Sequence, residues 1–238
     1  MFDLTDRTVI VTGAAGNLGR AVAQAFRSEG ARLVLVDRVP GRLQDLYPDL
    51  VDAPDHYLAT PVDLLDTDAV GKMVRETLAR FGRIDVLANT AGGYRAGSPV
   101  HETALDAWDF MLDLNARTAL IVSQAVIPIM IEQGQGKIIH VASRAALQGG
   151  SRMVAYSVAK SAVVRLTESA SAELKRKGIN VNCIVPGTID TPQNREAMPD
   201  ADHSRWVQPE AIADVMLFLA SDASRAIHGA AIPVYGTG

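Results

Sequence analysis

The sequence predicts a doubly wound α/β domain, a seven-stranded parallel sheet with helices on both faces, and three observations carry that prediction. Seven short runs dense in Val, Ile and Leu recur along the chain, as strands buried on both faces require. Longer stretches of helical period separate them, and a βα alternation with crossovers of this length implies parallel strands. Glycines stand just past four of the helical stretches, where a left-handed cap favours a residue without a Cβ.

Taken in order, Arg7–Thr12 and Arg32–Asp37 are the densest β runs. His56–Val62, Val86–Asn89, Lys137–Ala142, Asn180–Val185 and Ala231–Val234 read the same way. Between them, Leu18–Glu29, Asp68–Phe81, Leu105–Gln133, Val154–Lys177 and Glu210–Ala220 read as helices, with Gly30, Gly82, Gly134 and Gly178 as caps. Pro128 is expected to bend or loosen the end of the longest one. The least regular stretch, 188–208, carries Pro192 and Pro199 and follows a strand. Ligands of such sheets bind beyond the carboxyl ends of the strands, so this segment is the expected lid. No linker or short repeat interrupts the chain, and residues 1–238 read as a single domain.

Composition narrows the class. At 238 residues and 48% hydrophobic, the chain buries a sizeable core without disulfides. A formal charge of -4 gives no electrostatic reason for a nucleic-acid or anionic-membrane partner. The lone Cys183 lies in an apolar run and reads as a buried thiol in a reducing compartment. The first residues carry two acids before any base, unlike a signal peptide, and runs such as Val215–Ala220 are far short of a bilayer span. A cytoplasmic location is expected. The five histidines are scattered without paired spacing, so no metal site is expected; His140 reads as a strand residue with a satisfied imidazole.

Thr12-Gly13-Ala14-Ala15-Gly16-Asn17-Leu18-Gly19 leaves the first strand and opens the first helix. Small residues there let backbone N–H groups approach a pyrophosphate, and the helix N-terminus favours its charge. Asp37 closes the second strand 18 residues after Gly19, where a carboxylate accepts hydrogen bonds from an adenosine ribose and repels a 2′-phosphate. Arg38 follows and has the opposite preference. The turn therefore reads as Rossmann-type and NAD(H)-preferring, with NADP(H) left open.

The chain resembles the short-chain dehydrogenase/reductase family over essentially its whole length. The first turn looks like that family's TGxxxGxG, with Asn17 at the usual middle glycine and Gly16 one place early. Asn89-Thr90-Ala91-Gly92 is similar to its NNAG, and Ser143, Tyr156 and Lys160 reproduce its Ser…YxxxK set, with 13 residues from Ser to Tyr. The resemblance implies adenine contact by Asp63, cofactor contacts from Asn89, Ala91 and Gly92, and nicotinamide contacts from Pro186, Gly187 and Thr188. It gives Asn115 a structural and proton-relay role, and implies a homotetramer (or homodimer) built through the Leu105–Gln133 and Val154–Lys177 helices.

Chemistry gives the set its logic. Hydride transfer at a carbonyl leaves charge on oxygen that a phenol can protonate, yet a free phenol is a poor base near neutrality. Lys160 follows Tyr156 by four residues, so both project from one helix face, and its ammonium would lower the phenol's pKa. Ser143 would polarise the substrate oxygen, and Asn115 would hold a water between Lys160 and solvent. The expected reaction interconverts a secondary alcohol and a ketone, the substrate being a small polar or 3-oxoacyl carbonyl compound. Tyr94, Arg95, Arg144, Gln148 and Met153 are expected to face it, with Asn194, Met198 and Trp206 closing from the lid. Arg95 and Arg144 together would grip an anionic group on it. The lid also resembles that of quinoid dihydropteridine reductase, a pattern without the Ser, and a catalytically silent NAD-binding regulator is the reading from another class.

Overall fold

The computed structural model describes residues 2–95 and 97–237. Seven parallel strands, β1 (Thr8–Thr12), β2 (Arg32–Val36), β3 (His56–Ala59), β4 (Val86–Asn89), β5 (Gly136–Val141), β6 (Ile179–Pro186) and β7 (Ala231–Val234), form one sheet. Their order is β3-β2-β1-β4-β5-β6-β7. The chain winds outward from β1 to β3, then crosses to β4 on the other side of β1 and winds the opposite way. That reversal opens a crevice beyond the carboxyl ends of β1 and β4.

Alternation along β1 shows why the sheet needs two layers of helices. Val9 and Val11 pack with Phe26 of α1 (Asn17–Ser28) and Met216 of α8 (Pro209–Ala220). Ile10 packs on the other face with Met73 of α3 (Thr67–Phe81) and Val126 of α5 (Thr118–Gln133). Each large side chain removed from water in this way stabilises the fold by about 1.5–3 kcal/mol. Cys183 is buried in the same sheet.

The expected helices form, with informative differences. The long one runs as α4 (Leu105–Leu112), a wide π turn at Asp113–Arg117, and α5, which continues through Pro128 to Gln133. The departure from α geometry thus falls at Asn115 and not at the proline. This continuous helix is long and apolar enough to cross a membrane by length and composition. Here it instead packs Met111, Val122, Val126 and Met130 into the interior, and an Asp113–Arg117 ion pair of 2.6 Å interrupts its surface. The third strand ends at Ala59 and not Val62, because Pro61 has no N–H to extend a ladder. Two short helices, α2 (Arg42–Leu46) and α7 (Pro192–Ala197), hold too few residues to show a period. Between them in the chain lies α6 (Val154–Leu174), which packs on β6. The segment 188–208 is not irregular throughout. Thr191 caps α7 by accepting from Asn194 N–H at 3.2 Å, and a bridge between Ile189 and Val207 closes the loop at its base.

All four cap glycines have positive φ, from 68° to 80°, but their surroundings differ. A Cβ at Gly82 would meet open space, whereas one at Gly178 would lie 2.1 Å from the carbonyl oxygen of Gly134. Gly82→Ala should cost about 1 kcal/mol, the ordinary left-handed penalty. Gly178→Ala adds a backbone clash and should cost at least about 3 kcal/mol. Urea unfolding of the two variants beside the parent measures the gap, and equal midpoints would refute it.

Candidate active site

The glycine-rich turn is shaped by contacts that admit no side chain. Gly13 has φ +63°, and a Cβ there would lie 2.9 Å from Ala91 Cα. A Cβ on Gly19 would lie 2.2 Å from Gly13 O. The turn is thereby pressed against the segment after β4, and Gly16 enters α1 without a side-chain cap. Unpartnered N–H groups of a helix start then face the crevice. Asn17 holds the place where the family pattern has glycine, and its Nδ2 donates to Gln193 Oε1 of α7 at 2.6 Å.

Above the turn lies a cavity of about 1320 Å³. It exceeds the roughly 300–1,000 Å³ of a site for one small ligand, leaving room for a dinucleotide and a second molecule. Gly13, Gly16, Asn17, Leu18 and Gly19 line its middle, with Ala91 and Gly92 opposite. Asp37, Arg38 and Asp63 stand at one end. Both acids accept from backbone N–H groups two residues on, Asp37 from Val39 at 3.0 Å and Asp63 from Leu65 at 2.9 Å. Each carboxylate is therefore fixed in direction while retaining lone pairs for a ligand. Arg42, at the start of α2, lines this end too. No motif marks it, because its helix is a single turn.

Ser143, Tyr156 and Lys160 meet at the other end, with Pro186, Gly187 and Thr188 beside them. Ser143 stands two residues past β5, where its Oγ caps a 3-10 turn by accepting from Ala145 N–H at 3.2 Å. Burial pushes the Tyr156 phenol up, and the Ser143 hydroxyl opposes that rise. Tyr94 meets the Tyr156 ring edge-on at 4.9 Å. Lys160 is 5% exposed and donates to Val141 O at 2.8 Å, and burial lowers its amine to about 8. The amine is thus turned to the strand end. A Cβ at Gly92 would lie 3.1 Å from Lys160 Nζ and 2.8 Å from Asn115 Oδ1, so only glycine lets both groups approach.

Tyr94, Arg144, Gln148, Met153, Asn194 and Met198 also line this cavity, and so does Phe110, which the sequence does not mark. Four expected contacts fall elsewhere. Asn89 is buried at the end of β4, accepting from Thr12 Oγ1 at 2.6 Å and facing His140 Nδ1 at 3.2 Å, while Thr90 lines the cavity in its place. Asn115 directs its amide at the loop after β4: Oδ1 accepts from Gly93 N–H at 3.1 Å, and Nδ2 donates to Gly93 O and Met111 O. The side chain is a clamp between the long helix and the loop after β4. Arg95 stacks over the Phe110 ring at 4.3 Å and does not line the cavity. Trp206 lines a separate, smaller cavity beyond Thr188. His140 also departs from expectation, since its Nε2 is buried without a partner. Burial and the nearby Lys160 charge lower it to about 4, so the ring is neutral.

A parallel sheet with a glycine-rich turn at its switch point, and a cavity joining that turn to Ser143, Tyr156 and Lys160, defines a dinucleotide-binding oxidoreductase architecture. The family model described as short chain dehydrogenase matches residues 7–202. The (2S)-[(R)-hydroxy(phenyl)methyl]succinyl-CoA dehydrogenase subunit BbsD of Thauera aromatica is 34% identical, over 98% of this chain and 96% of that protein. The 3-oxoacyl-[acyl-carrier-protein] reductase FabG of Thermotoga maritima is 31% identical over 98% of each. A short-chain type dehydrogenase/reductase from Mycobacterium ulcerans superposes with a TM-score of 0.91 at 29% identity, covering 99% of this chain and 90% of that one. The chain belongs to the short-chain dehydrogenase/reductase family. It is an oxidoreductase of CH–OH and C=O groups, in a family that uses nicotinamide cofactors.

Burying Lys160 has a stability consequence whose sign follows from linkage. Its folded value of about 8 lies below the ordinary 10.5. Below pH 8 both states carry the proton, and the desolvation cost is fully present. Between pH 8 and 10.5 the unfolded chain holds a proton that the native state lacks, so this group makes stability rise with pH. Lys160→Met should therefore stabilise the cofactor-free protein by roughly 3 kcal/mol at pH 7, and the gain should shrink by pH 10. Urea unfolding at the two pH values checks this; a gain independent of pH would contradict it.

Proposed function

We propose that this chain interconverts a secondary alcohol and a ketone with NAD(H), using Tyr156 as acid and base. The observation that carries the reading is the convergence of Ser143, Tyr156 and Lys160 on one end of a cavity whose other end holds Asp37. The nicotinamide supplies or accepts the hydride when bound. In reduction the Tyr156 hydroxyl gives its proton to the developing alkoxide, and in oxidation the phenolate takes it back. Ser143 donates a hydrogen bond to the same oxygen. Lys160, which reaches the cavity between Tyr156 and Gly92, would hold the nicotinamide ribose, and its charge would then assist the phenolate.

Cofactor preference turns on Asp37. Its fixed carboxylate suits ribose hydroxyls and opposes a 2′-phosphate, while Arg38 and Arg42 stand ready for the phosphate. Two relatives are named for acyl-CoA and 3-oxoacyl substrates, which supports a carbonyl or alcohol on a carboxylic acid derivative. Ser143 beside Tyr156 argues for this reading over a quinonoid pterin. A silent binding protein would not need Tyr156 and Lys160 in one cavity. The outer faces of α4, α5 and α6 expose Leu105, Leu120, Ile131 and Val158, a surface suited to a homotetramer or homodimer.

A panel of ketones, secondary alcohols and a quinonoid pterin, followed through nicotinamide absorbance, tests the reading. Tyr156→Phe should lower kcat by about 10²–10⁴ with NAD affinity nearly unchanged; near-normal turnover would remove Tyr156 from the chemistry.

The parent should favour NAD(H) in kcat/KM, and Asp37→Ser should weaken NAD and improve NADP. A parent that prefers NADP(H) would mean the arginines prevail over Asp37.

A further inference from the structure

Beyond the loop Gly187-Thr188 lies a second cavity of about 290 Å³, beside the end where the reacting carbonyl would sit. It shares Arg144, Gly187 and Thr188 with the large cavity, so the two adjoin, and it stands as a side chamber against the same site. Its size falls just under that of sites for whole small ligands. A chamber of this size suits part of a molecule.

The lining states what that part should be. Arg144 enters from the loop after β5, with its guanidinium 5.8 Å from the centre of the Tyr235 ring. Arg205 enters from the 3-10 turn His203–Arg205. Among the described residues neither arginine forms an ion pair. The single acid among the described lining residues, Asp202, accepts from Ser204 N–H at 3.1 Å and Ser204 Oγ at 2.6 Å. Its charge is thus partly held by its own turn. Two arginines against one aspartate leave the lining positive. Trp206 and Tyr235 form half-buried aromatic walls that exclude water from one side of any occupant, which strengthens charge pairing.

We propose that the side chamber is a subsite for an anionic group, a carboxylate or a phosphate, carried on the tail of the substrate and held between Arg144 and Arg205. The proposal deepens the alcohol/ketone reading of the Tyr156 site and rests on it for the position of the reacting carbon. It also corrects the partner expected for Arg144. Arg95 is stacked on Phe110, and Arg205, separated from Arg144 by 61 positions in the sequence, takes its place.

Two measurements test the subsite independently. Levulinate and its next two homologues, each beside its methyl ester, are reduced with NADH by the parent and by Arg205→Met. At the best chain length the parent should favour the acid, and Arg205→Met should lower the acid-to-ester ratio of kcat/KM by about ten-fold or more. An unchanged ratio overturns the proposal. In parallel, Trp206 fluorescence of the NAD-loaded protein is titrated with glutarate, propyl phosphate and neutral glutaramide. Saturable quenching by either anion, absent with glutaramide and lost in Arg205→Met and Trp206→Phe, supports the subsite, and the tighter anion identifies the class. Equal quenching by glutaramide, no quenching at all, or a signal that survives Trp206→Phe overturns it. If no ketone turns over with either nicotinamide, the alcohol/ketone reading fails, and the titration still decides the subsite.

Discussion

Where β1 and β4 part company, the chain must end two neighbouring strands, send helices to opposite faces, and still leave their last polar groups partnered. A buried chain of side-chain hydrogen bonds meets that constraint. Ala91 N–H donates to Thr12 Oγ1, which donates to Asn89 Oδ1, while Thr90 Oγ1 donates to Thr12 O at 2.6 Å. Asn89 Nδ2 faces His140 Nδ1 on β5, in the row where Thr12, Asn89 and His140 are register partners. In a low-dielectric interior such a chain is rigid when satisfied and costly when broken. It fixes the height at which the loop after β4 leaves the sheet. That height puts Gly13 against Ala91 and Gly92 against Lys160. The turn in the middle of the cavity and the amine at one end are thus set by the same few atoms.

The π turn at Asn115 belongs to the same device. An amide that donates to Gly93 O and Met111 O and accepts from Gly93 N–H joins the long helix to the β4 loop. Such one-turn widenings recur at functional sites because they turn a side chain that regular helix geometry would aim elsewhere. Helix α6 approaches from the other side with Tyr156 and Lys160, one turn apart. The site is therefore built from three rigid elements and two loops whose glycines cannot be filled. Its main internal cost is a buried ammonium with one backbone acceptor, a local instability that a binding site tolerates and a pure scaffold would not.

The sequence made the frame legible because a doubly covered sheet imposes a pattern at every strand, and because four helical stretches are followed by glycines at positive φ. It made Ser143, Tyr156 and Lys160 legible because their spacing maps onto one strand end and one helix face. It failed where side-chain direction, and not position, decides. Asn89 and Thr90 are adjacent, but one turns into the buried hydrogen-bond chain while the other faces the cavity. Arg95 and Arg144 both follow strand ends, yet one lies on Phe110 and the other beside Tyr235. Arg42 and Arg205 sit on single turns that carry no period, so nothing in the pattern aims them at a ligand.

The segment after β6 shows how a departure from a family pattern becomes a structural feature. At its base the lid is held firmly: Asp190 is nearly buried, pairs with Arg195 through two bonds of 2.5 and 2.7 Å, and accepts from Gln208 at 2.8 Å. Those donors, Arg195 first, hold the Asp190 carboxyl well below the usual carboxylate range. At its tip the contact with the glycine-rich turn is the exposed Asn17–Gln193 bond. A neutral, water-exposed bond contributes about 0.5–1.5 kcal/mol, and a bidentate charged pair is the stronger kind. The Asn17–Gln193 bond is therefore the weaker of these two tethers of the segment. A glycine at position 17 would leave the tip without this partner. With asparagine there, a turn kept small by its glycine contacts also carries a side chain that hydrogen-bonds across to α7.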